Sequence, residues 1–553
     1  MSPTMVTERR CTAAATACLI AVVVASFAVI CALGGQASAE GTGRTDVRMV
    51  PMQRLSVRIG VSDVTPASGA AVRVTVRVRD RRQRAVRRVR VRVTWLRPGN
   101  RATKVVRTDR RGVVRSQRRV WGATGTTVRV KVTVTWRGRN VRKWIRLRPQ
   151  GGSGPGGGGS TTRLQPSDLV YRGAFRLPGE SGGSSWEWSG DGLAYRSDGD
   201  SDGAGDGYPG SLFGIGHDWQ HYVSEVSIPA PVVSADKDPA DLPRARTLQP
   251  FADVRGDLYP DLGTEIRRSD VEYLPAQGGQ SSGKLYLGWG RHLQEGERNA
   301  THMWCETDLS DPRPRGPWSV GGLEDYLTCD YLFTVDPAWA AANAPGKLLA
   351  TGRFRDGGQA GMGPSIFAIA PWQSGDPPAP GTRLPAVTLL RYDSVYTGAE
   401  HILHGYHHSD EWSGAAWLTS AGGSGKAAVV FAGTKGTGDC WYGFSDGTVW
   451  PDEPPYPPVP PDGERGWWSS GFEGQLLFYD PADLAAVARG DLAADRPQPY
   501  AALDLDRYLY HVTGEQQRFH TGALTFDRQR GRLFLIEPLA DGDRSIVHVW
   551  SVE

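Results

Sequence analysis

Between Val72 and Leu147 apolar and polar residues alternate strictly, as in VRVTVRVRD from Val72, VRVRVTW from Val89 and VRVKVTVTW from Val128. A period of two sends successive side chains to opposite faces, so these segments read as half-buried strands. Val72, Val74, Val76 and Val78 share one face and Arg73, Thr75, Arg77 and Arg79 the other; Val89, Val91, Val93 and Trp95 repeat the arrangement opposite Arg90 and Arg92. After residue 163 the pattern changes to short apolar runs, each entered through a glycine turn: GSLFGIG from Gly210, GKLYLGWG from Gly283, GKLLATGR from Gly346, GKAAVVFAG from Gly425 and GRLFLIE from Gly531. Each is preceded by another run (GLAYRS from Gly192, DVEYLP from Asp270, DYLFTV from Asp330, GAAWLT from Gly414, GALTFD from Gly522). Each is followed by a third (YVSEVSIP from Tyr222, THMWCETDL from Thr301, PSIFAIAP from Pro364, GQLLFYDP from Gly474, SIVHVWSV from Ser545). Fourth strands are expected near Thr247, Trp318, Val387 and Tyr500, and the fifth unit has none before Glu553. The spare run DLVYRGAFRLP from Asp168 can supply it. A helical period competes only in PADLAAVARG from Pro481.

Composition changes the picture mainly through charge. The 553 residues carry a formal net charge of only +5. Residues 41–150, however, hold 31 Lys and Arg against 4 acids, and residues 151–553 hold 31 against 53. Two bodies of opposite charge share the chain. With 70 Gly, 38 Pro and 19 Trp it is a folded protein, not collagenous, coiled-coil or multi-span. Arg9 and Arg10, the uncharged run Cys11–Leu33 and the triplet Ala37, Ser38, Ala39 have the order of a secretory signal over residues 1–39. An uncleaved anchor is the alternative, since 23 uncharged residues can span a bilayer and would place the protein on a membrane. Either leaves the rest extracytoplasmic, with Cys305, Cys329 and Cys440 in an oxidising compartment, and Cys305 with Cys329 is the favoured pair. The segment QGGSGPGGGGSTT, residues 150–162, is a flexible linker between a basic unit (40–149) and a large unit (163–553).

The VxVxVxD and VxVxW strands, the TDRRG turn at Thr108 and the closing VxVxVTW strand resemble the bacterial immunoglobulin-like domain over roughly residues 55–148. The repeat order of the large unit resembles the five-bladed β-propellers of secreted bacterial proteins, which implies a ring completed by the Asp168 strand. Six blades or a two-sheet sandwich are the alternatives. The fold class expected is therefore all-β: a small Arg-rich immunoglobulin-like β-sandwich followed by a five-bladed β-propeller closed by an N-terminal strand. Like charges on neighbouring strands repel, so the arginine face of the sandwich points to an anionic cell-envelope polymer, with a solvated face as the bland alternative. No specific nucleic-acid partner and a monomer are expected.

In a propeller the connections from second to third strand and from fourth to the next first strand emerge on one face. These are the long ones here, and ten of the 11 histidines fall in them: His217, His221, His292, His302, His401, His404, His407, His408, His511 and His520. HILHGYHHSDEW from His401 suits a zinc-like ion or an acid/base pair, or else backbone-bonded loop histidines; it makes a second ion at His401–Asp410 an expectation. Glu187, Asp270, Asp330, Asp410 or Glu411, and His520 stand where inner strands begin, as strand caps or as a carboxylate ring for glycoside chemistry. His217, Trp219, Arg291, Arg353, Trp412, Lys435 and Trp441 are the candidate ligand-binding side chains at the same mouth. Asp198, Asp200, Asp202 and Asp206, with Gly203, form DxDxDGxxD, which resembles the short calcium loops of integrin-type propellers and implies a structural Ca2+ on the opposite face; a plain Asp/Gly hairpin is the alternative. Three functions stay open: binding a carbohydrate-like ligand, hydrolysis or lysis by Glu187, Asp270, Asp330 and Asp410 with His404 or His520 as proton carrier, or a structural surface protein.

Overall fold

A computed structural model describes residues 55–62, 64, 71–80, 82, 84–97, 100–119, 128–137, 139–147, 163–200, 203–259, 267–291, 298–328, 330–394, 401–421, 425–460, 463–514 and 516–553. The expected signal and linker, His292, Cys329 and Asp202 lie outside these residues. The chain divides into two compact units, residues 1–152 and 153–553. Both are all-β.

In the first unit, β1 (Ser56–Val61), β2 (Ala71–Arg79), β3 (Arg90–Arg97), β4 (Asn100–Arg107), β5 (Val113–Arg119), β6 (Val128–Trp136) and β7 (Arg139–Leu147) form two antiparallel sheets, ordered β1-β2-β5 and β4-β3-β6-β7. The alternation sets the faces: Val74, Val76, Val78, Val91, Val93, Val130, Val132 and Val134 are buried in one core. The polar partners between them are left outside. Arg58 stands opposite Arg77, Arg90 opposite Arg107 and Arg129 opposite Arg146. Asp80 and Asp109, the acids of this unit among the described residues, sit in turns where they accept backbone N–H groups of Arg82 and Arg84, and of Arg111 and Val113. Those bonds hold both carboxyls below their usual range.

The second unit begins with β8 (Leu169–Arg176) and continues through five antiparallel sheets. The first contains β9 (Leu193–Arg196), β10 (Ser211–Ile215), β11 (Val223–Ser227) and β12 (Thr247–Ala252), and the second β13 (Arg267–Leu274), β14 (Lys284–Arg291), β15 (His302–Glu306) and β16 (Arg315–Val320). The third has β17 (Tyr331–Thr334), β18 (Leu349–Gly352) and β19 (Ile366–Ile369); the short β20 (Arg383–Leu384) then joins β16 in parallel before β21 (Val387–Leu390) completes the sheet. The fourth is β22 (Glu411–Thr419), β23 (Ala427–Gly443), β24 (Gly466–Tyr479) and β25 (Ala501–Asp504), and the fifth β26 (Leu524–Asp527), β27 (Arg532–Asp541) and β28 (Arg544–Val552), onto which β8 pairs. Two short helices, α1 (Pro337–Asn343) and α2 (Pro481–Ala488), start at the aspartate caps Asp336 and Asp480.

The first strands of the five sheets neighbour one another in a closed cycle, tied by hydrogen bonds at or beside their starts and, between the third and fourth sheets, from the segment after β18. Leu193 N donates to Asp270 Oδ1 at 3.3 Å and Leu332 N to Asp270 Oδ2 at 2.8 Å. Trp412 N donates to Phe354 O at 2.8 Å, Ser413 Oγ to Thr521 O at 2.6 Å, and Ala523 N to Gly190 O at 2.8 Å. This propeller-like arrangement leaves β8 outermost in the last sheet. Its free edge is covered, since Ala174 exchanges bonds with Val232 and Arg176 N donates to Pro243 O. Gly173 allows the approach: at φ +117° it sits where a Cβ would lie 2.4 Å from the Val232 carbonyl carbon.

Asp270 is thus a buried clamp on three first strands, because Val271 N also donates to its Oδ1 at 2.7 Å. Truncating it orphans buried N–H groups at about 1–3 kcal/mol each. Asp270→Ala is expected to lower unfolding stability by about 2–5 kcal/mol in urea titrations, and Asp270→Asn, which keeps one acceptor oxygen, by clearly less.

Candidate functional site

Every second sheet strand runs antiparallel to the first, so the five first strands begin at one end of the cycle, here called the upper end. The connections from second to third strands and from fourth strands to the next first strand collect there. The sequence-predicted carboxylates are at this end, and most are engaged. Asp330 and Arg353 are both fully buried and pair at 3.1 Å, with Phe354 N donating to the same oxygen. Asp410 accepts from Lys435 Nζ at 2.8 and 2.9 Å, from Gly436 N and from His407 N. Burial pushes the carboxyls of Asp270 and Asp410 up, opposed by these donors. Glu187 is half-buried and its backbone bridges to Arg544.

The histidine-rich loop does not act as one unit. His401 Nδ1 lies 2.6 Å from Asp495 Oδ2, and the exposed His404 donates its backbone N–H to Gln498, both in the segment between α2 and β25. His407 bonds Ser469 Oγ at 2.8 Å, and His408 bonds Asp356 at 2.5 Å while stacking on Trp467 at 4.1 Å. Successive side chains of a tight loop point different ways, so closeness in sequence does not focus four imidazoles on one ion. Among the described residues no three His, Cys, Asp or Glu side chains form a metal-holding group. The same holds for the proposed calcium loop between β9 and β10: Asp198 pairs with Arg196 at 3.1 Å and Asp200 with Arg246 at 3.3 Å. Asp202 is outside the described residues, and only the backbone of Asp206 is described, in a 3-10 turn. Both described carboxylates of this loop are thus paired with guanidinium groups. His520 is buried between Asp506 Oδ1 at 2.7 Å and Gln517 O at 3.1 Å. Cys305 is buried and Cys440 exposed, both as free thiols.

The ligand-binding candidates separate by exposure. Trp412 lies in the core beside Phe431 and Trp417, fully buried, so its ring offers no surface. Arg353 is spent on Asp330, and Lys435 on Asp410. Arg291 closes β14 opposite Arg267. Trp441 is half-buried, donates Nε1–H to Phe444 O and faces Trp468 across the strands. These two belong to a β-ribbon, the upward extension of β23 and β24, where the sequence suggested a loop over 434–472. His217 and Trp219 lie nearer the solvent: Trp219 is 80% exposed, its ring centre 5.9 Å from that of the imidazole, whose Nδ1 is 2.9 Å from Asp218. Trp188 is 52% exposed in the connection from β8 to β9.

A constellation that sequence reasoning missed surrounds Glu411, the first residue of β22. Arg355 Nη1 donates to its Oε1 at 2.9 Å and Arg518 Nη2 to the same oxygen at 3.1 Å. Burial pushes this carboxyl up, yet Arg518, Arg355 and Arg268 together hold it below the ordinary value. Arg268 pairs with Asp191 at 2.9 Å and lies 4.2 Å from the Phe354 ring centre, over which Arg353 and Arg355 also pack at 4.9 Å. One guanidinium group thus comes from β13, one from the segment after β18 and one from the connection between β25 and β26. Each stands two residues from a position chosen from sequence: Arg268 from Asp270, Arg355 from Arg353, Arg518 from His520. In extended chain such pairs share a face, as Arg268 and Asp270 do within β13; Arg355 lies beyond β18, and Phe519 between Arg518 and His520 has φ +58°, so that signal was available for Arg268 alone.

No family model and no curated protein matches the chain. Among solved structures it is similar to a quinoprotein alcohol dehydrogenase-like protein of Bacteroides thetaiotaomicron, at 7% identity over 89% of this chain and 95% of that one, with a TM-score of 0.22. It is also similar to invasin, a bacterial integrin-binding protein, at 10% identity over 90% and 74% of the two chains, with a TM-score of 0.14. Scores this low carry no argument about fold or function. No helix among the described residues is long and apolar enough to cross a membrane.

His302 corrects the expectation that it lies in a loop: it opens β15, buried between Thr301 and Thr351, and burial pushes its pKa down to about 4. The unfolded chain takes up the proton near 6.5 and the folded one near 4, so the stability from the neutral ring is present above 6.5 and lost as pH falls through that window. His302→Gln is expected to flatten the decline in stability between pH 6.5 and 4, which in the native chain reaches about 3 kcal/mol from this group, in urea titrations at stepped pH.

Proposed function

We propose that this is an exported, envelope-associated protein in which an immunoglobulin-like cationic sandwich holds an anionic polymer and a five-bladed β-propeller binds a carbohydrate-like ligand at its upper end. The five sheets, the closed cycle of first strands and the β8–β28 pairing support the propeller reading. The two sheets of three and four strands around the valine core support the sandwich.

The single observation that carries the ligand reading is where apolar surface remains exposed. Among the described residues of 163–553, seven of the nine exposed large apolar side chains lie in upper-end connections, Trp188, Trp219 and Phe519 among them, and the other two are Val232 and Val233. Exposed apolar surface gathered beside polar groups marks a binding face, and flat rings with a polar edge suit the C–H faces of sugars. Binding rather than cleavage is proposed, because Asp270, Asp330 and Asp410 already accept hydrogen bonds from amides or cations. A general acid needs a carboxyl that reaches the ligand.

For the sandwich, support comes from the outer face of β4-β3-β6-β7, where Arg90, Arg92, Lys131, Arg142 and Arg146 alternate with inward valines. Trp144, 54% exposed, stands among them with Lys131 Nζ 5.0 Å from its ring.

Retention of the full chain on a polysaccharide panel is expected without new reducing ends, and chelator should leave it unchanged. Trp219→Ala is expected to weaken retention about fivefold, the worth of roughly 1 kcal/mol of ring stacking. No retention on any polysaccharide would favour a purely structural protein, and new reducing ends an enzyme. On immobilised lipoteichoic acid, binding should fall steeply between about 50 and 500 mM salt, and Arg92→Gln with Arg142→Gln should flatten that dependence. A salt-independent response would remove the polyanion contact.

A further inference from the structure

The arginine cluster around Glu411 is more charge than the fold needs. Its three guanidinium groups sit beside two largely buried carboxylates, Glu411 and Asp191, with the exposed Glu464 3.8 Å from Arg518 Nη1, while Asp330 is already taken by Arg353. The third positive charge is offset, among the described residues, by the solvent-exposed Glu464 at the limit of ion-pair distance, in a nearly closed setting: the side chains of Arg355 and Arg518 are each only 11% exposed and that of Arg268 17%. The Nε atoms of Arg355 and Arg518 are buried and make no hydrogen bond. Burial, together with neighbouring Arg353 and Arg268, pushes the Arg355 guanidinium below its ordinary value, against the pull of Glu411. Like charges crowded out of water cost free energy unless an anion joins them. A fold that needed only to close its ring could do so with amides, as Asp270 does for three first strands.

We propose that this cluster is an acid-recognising subsite: the sugar bound at the upper end carries a carboxylate, which lies against Arg268, Arg355 and Arg518, with Phe519 under the adjoining pyranose ring. The proposal rests on the ligand-binding reading of that end and names the ligand's class, a uronic-acid glycan. Guanidinium forks match carboxylates in geometry and keep their charge at any physiological pH. Phe519 is 47% exposed, and the Arg518 guanidinium lies 4.8 Å from its ring centre, so cation and apolar platform are neighbours. A ring face paired with a carboxylate partner is the complement of a uronate, whose apolar C–H face and acid group sit on one residue. The three arginines come from separate parts of the cycle, so the subsite exists only when the cycle is closed. Glu411 holds two of the forks apart and in register, which makes it a positioning residue.

The test uses the full chain and short oligogalacturonides, compared with the same oligomers after carboxyl reduction to the neutral sugar. The acid form is expected to bind at least about tenfold more tightly, and Arg518→Gln should erase most of that preference while leaving the neutral form within about twofold. Arg518→Lys, which keeps the charge and loses the fork, should retain part of the preference and guards against misfolding of the glutamine variant. Phe519→Ala should weaken both forms alike. The sandwich is identical in the native chain and in each variant, so differences between them read the subsite. Equal binding of acid and neutral oligomers would overturn the uronate assignment and leave the sugar reading standing. Binding of neither would overturn both, and an acid preference untouched by Arg518→Gln would overturn the subsite.

Discussion

The second unit depends on one pairing between distant parts of the chain, β8 against β28. Residues 169–176 meet residues 544–552 in seven paired positions, with a single irregularity at Val549 and Trp550. Without it the fifth sheet has three strands and the cycle of first strands loses its support between β26 and β9. An exposed edge of unpaired backbone groups would also remain, which natural sheets avoid. The covering of the far edge of β8 by Val232 and Pro243 completes the same arrangement. Because the join links the two ends of a 391-residue stretch, it is formed late in any folding sequence that proceeds by local hairpins first.

The closed cycle explains why the upper end holds buried charge. Five first strands starting around one axis cannot all satisfy their opening N–H groups through neighbours in their own sheets, because the neighbouring sheet is splayed away. Asp270 supplies acceptors to β9, β13 and β17 at once, and Asp410 does the same for His407, Gly436 and Lys435. Carboxylates at these positions are therefore joinery before they are chemistry. The arginines differ. Arg355 and Arg518 share one oxygen of Glu411 and keep nitrogen atoms unused, an arrangement that fills no structural vacancy of the strands.

This difference also marks what could be read from the sequence. The valine alternation fixed strand faces in the first unit because one period governs both burial and pairing there: Val74, Val76 and Val78 are buried where the pattern puts them. The glycine-led runs located second strands, and the spare Asp168 run located β8, because each carries an uninterrupted apolar segment bounded by turn residues. Less legible was what polar residues do once the strands assemble. Trp412 looks like a loop residue beside polar neighbours, but β22 starts three residues before the apolar run at Gly414; His302, grouped with the loops, is the first residue of β15. The β23–β24 ribbon was missed for the same reason, since Thr437, Asp439 and Ser470 are polar on both faces and a solvated ribbon has no apolar period to betray it.

Partners across the axis are the hardest to foresee. The contact of Glu411 with Arg355 and Arg518 joins positions 56 and 107 residues apart, and no local pattern encodes it. What the sequence does encode is the spacing of two within a strand, which sends Arg268 to the same side as Asp270 in β13. A cyclic fold turns that local rule into a distant one. β13 supplies Arg268, the segment after β18 supplies Arg355 and the segment before β26 supplies Arg518, and closure brings them to one place. Charge at the start of a first strand is thus never local in its consequences: a carboxylate there competes for every guanidinium the other sheets deliver. Two of them share Glu411, and the third, Arg268, is held by Asp191.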